Sequence, residues 1–213
     1  SNFINEKNDI QKLESKYLNS RPEILVIDNF LTSEALLELQ KFCRNANIFK
    51  YPYENGYVGA FLVKGLSNKF ILKLTEDLRK TFKNIFRSLR LTQAWAFKYD
   101  NKKEGIKVHA DDASINVNFW ITPNHANLNK KTGGLKIWHK IPSKKWDFAD
   151  FNYLSNSPKI MKMLEAGKIT HEIIEHKENR AVIFNSKLFH TSDNYNFKDS
   201  YQDKRINMTF LYD

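Results

Sequence analysis

Residues 105–122 have the sequence GIKVHADDASINVNFWIT, and this stretch decides how the rest of the chain is interpreted. Apolar and polar side chains alternate along it, which predicts β-strands. His109 and Asp111 are two positions apart, so on a strand both side chains point to the same face. An imidazole and a carboxylate directed at one volume are ligand types that a transition metal takes. The stretch therefore predicts part of a metal site.

A mononuclear iron site of the two-histidine, one-carboxylate type needs one more imidazole. His190 is the best candidate, because it follows a buried strand at 181–184 and comes directly after Phe189. His139 borders the proposed pocket, where substrate contact is one interpretation and a surface or strand-end position is the favoured one. We expect His125 on a mobile loop near the site entrance. His171 and His176 are expected at strand ends, in solvent.

The last strand, in KRINMTFLYD, carries an arginine that the pattern directs inward. Alternation puts Arg205, Asn207 and Thr209 on one face and the apolar residues between them on the other. A buried guanidinium is costly unless it meets an anion, and a carboxylate bound through two hydrogen bonds suits it. The alternative is an internal salt bridge with one of the 24 acidic residues.

The order of elements predicts the fold class. Two amphipathic helices come first, one after Thr32 or Ser33 as N-cap and one running through 67–90 with Ser67 as N-cap. From about residue 91 the pattern changes to short strands separated by turns, with a helical insert near 157–167. We predict one mostly β domain over 1–213. It consists of a double-stranded β-helix (a cupin-like jelly roll) at about 91–213, N-terminal helices packed against one sheet (α+β), and a helical extension at 1–23.

Composition limits the function classes. With 41% hydrophobic and 14% aromatic residues the chain is a folded protein, and no apolar run reaches the ~18 residues of a membrane span, so no membrane partner is expected. The single Cys43 excludes an internal disulfide and a cysteine metal site, which favours the cytoplasm. The net charge of +10 leaves nucleic acid open as a partner, but scattered lysines do not favour it.

Four motifs in this order resemble those of the Fe(II)- and 2-oxoglutarate-dependent dioxygenases, specifically the prolyl-4-hydroxylase-like branch. They are ILVIDNFLTSEALLEL, FKYDNKKEGIKVHADD, TGGLKIW and AVIFNSKLFHTSD followed by KRINMTF. The resemblance spans residues 24–213. It departs from the branch in the 15 positions between His190 and Arg205, which imply a loop insertion at 194–203.

The resemblance implies a role for each matching residue. His109, Asp111 and His190 would hold Fe(II). Arg205 would bind the distal carboxylate of 2-oxoglutarate, and Tyr99 would offer its phenol to the same co-substrate. Asn207 and Asn118 would lie beside it.

The same resemblance implies the activity. With O2, 2-oxoglutarate would be decarboxylated to succinate while an unidentified peptide, amino acid or small metabolite is hydroxylated. An aspartate at position 111 implies hydroxylation over halogenation.

Two alternatives stay open. The last strand also resembles that of the oxidative nucleic-acid dealkylases, although the second arginine of that group is replaced by Leu211. A cupin-like module that binds a metal or small ligand without turnover is the other. The loops at 50–66, 122–132 and 142–168 are expected to contact the prime substrate.

Overall fold

A computed structural model describes residues 2–101 and 104–213. Ser1, and Lys102 and Lys103 within the second motif, lie outside the described residues. The strands are β1 (Ile24–Ile27), β2 (Tyr51–Tyr53), β3 (Tyr57–Phe61), β4 (Leu91–Tyr99), β5 (Ile115–Trp120), β6 (Leu135–Trp138), β7 (His171–Ile174), β8 (Ala181–Asn185), β9 (His190–Ser192) and β10 (Ile206–Tyr212). The α-helices are α1 (Ile10–Asn19), α2 (Ser33–Asn45), α3 (Lys69–Thr81), α4 (Lys83–Phe86), α5 (Phe148–Asn152) and α6 (Ser157–Ala166).

The strands form two antiparallel sheets. The larger has the order β1-β8-β5-β10-β4-β3-β2 and the smaller has the order β7-β6-β9. In the centre of the large sheet β10 pairs with both β4 and β5, with Asn207 opposite Phe97 on one side and Trp120 on the other. The predicted fold class, a jelly roll with helices against one sheet, is confirmed.

The helices cover the outer face of the large sheet. Alternate residues of the central strands, such as Val117 and Met208, pack there against Leu39 of α2 and Leu74 of α3 in one apolar cluster. The opposite residues of the same strands face the small sheet and the interior. Burial of the outer face thus fixes which side chains of β4, β5 and β10 point inward. Cys43 lies in the outer cluster and is fully buried, as a structural thiol.

The first predicted helix start is confirmed and the second is corrected. The Thr32 side chain accepts a hydrogen bond from the Ala35 N–H and caps α2. For α3 the cap is Asn68, whose side chain accepts from the Ile71 N–H at 2.8 Å, and not Ser67. The predicted single helix is also interrupted at Phe82, where ψ of 51° leaves the helical region and separates α3 from α4.

Two strand predictions need correction. Residues 50–66, interpreted as a substrate loop, contain the β2–β3 hairpin at the edge of the large sheet. Conversely, residues 106–111 form no strand; only an isolated bridge joins His109 to His190. Their backbone is instead held from several sides, with Ala110 N–H donating to Phe151 O and Asp111 N–H to Ser186 O.

Within the described residues no helix is long and apolar enough to cross a membrane.

Candidate metal centre

Backbone pairing brings His109, which precedes β5, together with His190 at the start of β9. The backbone N–H of each histidine donates to the backbone carbonyl of the other, at 3.0 and 2.8 Å. The centroids of the two imidazole rings are 4.4 Å apart. The Nδ1 atom of His109 is 2.8 Å from Lys107 O, and that of His190 is 2.9 Å from Leu188 O. Because a carbonyl only accepts, both Nδ1 atoms carry a proton, and the two Nε2 atoms are the ring nitrogens left to bind a metal.

Asp111 lies between the two imidazoles. Its Oδ1 is 3.6 Å from His109 Nε2 and its Oδ2 is 3.5 Å from His190 Nε2. Two amides orient the carboxylate: Asn116 Nδ2 donates to Oδ2 at 3.0 Å and Asn152 Nδ2 to Oδ1 at 3.4 Å. Such outer hydrogen bonds commonly fix metal ligands.

The protonation states suit a cation. Burial, and then the neighbouring His190, lower the pKa of His109 to about 4, so the imidazole is neutral near pH 7. Burial alone would raise the pKa of Asp111, but its interactions with His190, His109 and Asn116 outweigh burial, and the pKa lies below its ordinary value. Two imidazoles and one carboxylate are the donor set expected for a divalent iron site.

The spacing also fits an ion. One donor atom from each of the three residues lies within 4.8 Å of the others. Donors about 2.1 Å from a common metal stand roughly 3 to 3.5 Å apart, close to the distances above. The structure therefore brings the three predicted ligands together in a group that can hold a metal.

Arg205 points into the same interior and is 1% exposed. Its Nε donates to Gly133 O at 2.7 Å and its Nη2 to Gly134 O at 3.0 Å, while Nη1 donates to Asn207 Oδ1 at 3.3 Å. The guanidinium carbon lies 4.3 Å from the centre of the Tyr99 ring. Within the described part of the chain no carboxylate pairs with Arg205, so the internal salt bridge considered as its alternative is not formed.

Two adjacent glycines explain how the small sheet reaches this arginine. Gly133 has a φ of +91°, which side chains disfavour. A Cβ on Gly134 would come within 1.8 Å of Ile174 O on the neighbouring strand. The Gly-Gly pair before β6 is thus required by the backbone, and it presents two carbonyls to Arg205.

The metal group and Arg205 line one cavity of about 270 Å³. Tyr99, Asn118, Asn207 and Thr209 line it too. Asn118 donates to Thr209 Oγ1 at 3.1 Å, and its own Oδ1 has no partner within the described residues. Asn118 therefore has unfilled hydrogen-bonding capacity in the wall of this cavity.

The remaining histidines do not line this cavity. His125 lies in a 3-10 turn and approaches Asp203. His139 directly follows β6 and approaches Glu172, as the favoured strand-end position predicts. His171 is exposed at the start of β7, as expected.

His176 corrects the prediction of a solvated strand end. It is 6% exposed and packs edge-on against Phe197, and neither ring nitrogen has a hydrogen-bond partner among the described residues. Burial, and then the charges of Arg205 and Arg180, lower its pKa to about 3.

Sequence reasoning missed two residues of the site. Asn152, on α5, reaches Asp111 from the helical insert, and Tyr195 packs edge-on against Tyr99 beside Arg205. Both lie in polar segments without periodicity, and only their spatial neighbours identify them. Asn116, on β5, also bonds to Asp111.

The chain resembles known proteins in fold but matches none of the compared families or curated proteins in sequence. No protein-family model matches the chain, and no curated protein matches it in sequence. Several solved structures match it in fold. The epimerase SnoN, in complex with Fe3+, alpha-ketoglutarate and nogalamycin RO, superposes with a TM-score of 0.66 at 11% identity, covering 95% of this chain and 82% of SnoN.

Two further structures have the same architecture. HygX from Streptomyces hygroscopicus, with nickel, 2-oxoglutarate and hygromycin B bound, has a TM-score of 0.62 at 10% identity and covers 92% and 84% of the two chains. A Pseudomonas putida prolyl-4-hydroxylase has a TM-score of 0.59 at 12% identity and covers 97% and 100%. The fold of this chain is that of the iron- and 2-oxoglutarate-dependent oxygenases, as the sequence resemblance implied.

Proposed function

We propose that this chain is an Fe(II)- and 2-oxoglutarate-dependent oxygenase that hydroxylates a small-molecule, amino-acid or peptide substrate. His109, Asp111 and His190 hold the metal, and Arg205 binds the co-substrate. When bound, the ion and 2-oxoglutarate supply O2-dependent oxidation of a C–H bond, with decarboxylation to succinate.

The observation that carries the proposal is the state of Arg205. A buried guanidinium without a carboxylate partner is unfavourable unless an anion enters its site. Three of its N–H groups are used by Gly133, Gly134 and Asn207, which leaves one N–H on each terminal nitrogen. Those two donors match the two oxygens of a carboxylate. An anion in the same cavity as three metal donors supports a chelating dicarboxylate.

Each residue of the candidate site then has a definite role. The Nε2 lone pairs of His109 and His190 bind the ion, and Asp111 supplies a negative charge while Asn116 and Asn152 hold its orientation. Arg205, fixed by two carbonyls, orients the distal carboxylate without having to reorganise. Tyr99 covers the guanidinium and excludes water from it.

Succinate release tests the proposal. Anaerobically iron-loaded protein is mixed with 2-oxoglutarate and then exposed to air, and succinate is quantified. We expect slow turnover without a prime substrate and none in His109→Ala. Arg205→Gln should raise the KM for 2-oxoglutarate at least ~30-fold, the scale of losing one partner of a buried charge pair.

Arg79→Gln, which removes a guanidinium from the surface of α3, is the matched control and should behave as the wild type. If the folded wild type neither releases succinate nor binds 2-oxoglutarate, the proposal is wrong and a metal-binding module without turnover is the better interpretation.

A further inference from the structure

Part of the cavity is used neither by the metal group nor by Arg205, and it is aromatic. Five rings on β2, β3 and β4 form it, which we call the aromatic wall: Tyr53, Tyr57, Phe61, Trp95 and Phe97. Strand register makes these rings neighbours, since Tyr53 lies opposite Tyr57 and their rings stack at 4.5 Å. Phe97 meets Tyr57 edge-on at 4.9 Å.

The aromatic wall is continuous because of one glycine. Gly59 lies opposite Phe97, and a Cβ at this position would come within 2.9 Å of the Phe61 ring and 3.0 Å of the Phe97 ring. Without a side chain there, Phe61 and Phe97 pack against each other with centroids 5.9 Å apart. The result is a surface of rings without a polar interruption.

The wall runs from solvent towards Arg205. Inward-facing residues of β4 become progressively buried along the strand: Gln93 is exposed, Trp95 is half-buried, Phe97 is 7% exposed and Tyr99 is 1% exposed. A molecule lying along the rings would therefore pass from the mouth of the cavity into the interior that the metal group also lines.

A second apolar surface lines the same cavity. Phe148 on α5 and Leu154 just after it are 47% and 41% exposed. The segment carrying them is attached next to the metal ligands, because Asn152 Nδ2 donates to Ala110 O at 2.9 Å and Ala110 N–H donates to Phe151 O at 2.9 Å. Exposed apolar side chains on a fixed segment at a cavity mouth are typical of a ligand site.

Charge restricts the ligand further. Among the described residues that line the cavity, Arg205 is the one lysine or arginine, in a chain that has 34 of them. The carboxylate of Asp112 lines the mouth, with 62% of its side chain exposed. Lys187, whose Nζ lies 4.0 Å from Asp112 Oδ1, does not line the cavity. Among the described lining residues, an anionic substrate, including a nucleic-acid strand, would therefore find no basic side chain once 2-oxoglutarate occupies Arg205.

We propose, building on the function proposed above, that the prime substrate is an uncharged molecule with a flat aromatic ring system. It lies against the aromatic wall, is covered by Phe148 and Leu154, and presents a C–H bond to the metal group. Aromatic rings favour offset-stacked or edge-to-face contacts with other rings, which the aromatic wall offers along its length.

Three probes of matched size test this specificity: 2-naphthol, 2-naphthoate and the saturated alcohol 2-decalol. Their affinities for the full chain, loaded with Ni2+ and saturating 2-oxoglutarate, are measured by equilibrium dialysis and by quenching of tryptophan fluorescence. We expect 2-naphthol to bind at least tenfold more tightly than 2-naphthoate and at least fivefold more tightly than 2-decalol.

Variants locate the binding. Trp95→Leu and Phe148→Ala should each weaken 2-naphthol binding at least fivefold, and Phe148 is exposed enough for its variant to fold. Tyr201→Ala is the control, because Tyr201 is an exposed aromatic residue, 57% accessible, that does not line the cavity. It should leave the affinity unchanged.

The failures are distinguishable. Equal affinity for 2-naphthol and 2-naphthoate, insensitivity to both variants, or displacement of 2-naphthol by a single-stranded oligonucleotide would overturn the aromatic specificity while leaving succinate release intact. Loss of 2-oxoglutarate binding, with 2-naphthol still bound in metal-free protein, would overturn the proposed function and not the aromatic specificity.

Discussion

At the scale of single residues, the candidate metal site depends on hydrogen bonds that the sequence cannot display. The H-x-D spacing predicted that His109 and Asp111 face one volume, and they do, although residues 106–111 are not a strand. Backbone pairing of His109 with His190 supplies the convergence instead. The identity of the donors was predictable from local spacing. The imidazoles are oriented by Lys107 O and Leu188 O, each two positions earlier in the chain, through contacts that depend on the local backbone. The carboxylate is oriented by Asn152, which only the fold brings near.

Asn116 and Asn118 provide a matched pair for testing the support of Asp111. Both lie on β5 and face inward, but only Asn116 donates to the carboxylate. Removing such an outer hydrogen bond typically weakens metal binding by about 10- to 100-fold. We expect this loss in Asn116→Ala and less than a threefold change in Asn118→Ala, measured by Mn2+ titration without 2-oxoglutarate. An equal effect in both variants would contradict the assignment.

His176 makes the protein sensitive to acid. The unfolded chain protonates this histidine below about pH 6.5, whereas the folded chain does so only near pH 3, so falling pH favours unfolding across that interval. At about 1.4 kcal/mol per pH unit, the cost at pH 5 is about 2 kcal/mol.

Urea unfolding at pH 7.5 and pH 5.0 measures this cost. The stability lost between the two pH values should be about 2 kcal/mol smaller in His176→Phe than in the wild type, while the exposed His171→Phe should match the wild type. An unchanged loss in His176→Phe would contradict the buried neutral imidazole.

At the scale of elements, turn chemistry and close packing decide what periodicity leaves open. The β2–β3 hairpin was missed because YPYENGYVGAF is too rich in tyrosine and glycine to show clear alternation, although Asn55-Gly56 is a hairpin signal. Strand β6 was predicted, but the need for glycine before it was not. That need arises from the carbonyl of Ile174 on β7, which is 40 positions away in sequence.

Gly134 therefore cannot carry a side chain unless the neighbouring backbone moves. In Gly134→Ala the new methyl group would overlap backbone and not a movable side chain, so the β6–β7 pair must shift. We expect a loss of roughly 1–3 kcal/mol in the free energy of unfolding, together with weaker 2-oxoglutarate binding, because Gly134 O holds Arg205.

Gly167→Ala is the control for this substitution. It lies at the end of α6 with a φ of −78° and its nearest neighbours are 3.2 Å away, so it should change stability by less than about 1 kcal/mol. Urea unfolding of both variants and calorimetric titration with 2-oxoglutarate measure the two effects. Equal stability of the two variants would contradict the close approach.

At the scale of the whole molecule, the architecture was predictable and the substrate side was not. Helices followed by alternating strands predict a jelly roll. The order of H-x-D, Gly-Gly-Leu, His and Arg narrows this prediction to the oxygenase fold, although the chain is only 10–12% identical to the structures that have that fold. The aromatic wall and α5 come from segments distant in sequence, so the sequence did not predict that they line one cavity. The predicted domain limits, with a jelly-roll core from about residue 91, stay a prediction, although β1 to β3 join the large sheet from before that point.

A crystal of the protein soaked anaerobically with Mn2+ and 2-oxoglutarate tests the central claim most directly. We predict one anomalous peak bonded to His109 Nε2, His190 Nε2 and a carboxylate oxygen of Asp111, with the distal carboxylate of 2-oxoglutarate on the two free N–H groups of Arg205. A peak elsewhere, or a 2-oxoglutarate molecule that does not contact Arg205, would contradict the account.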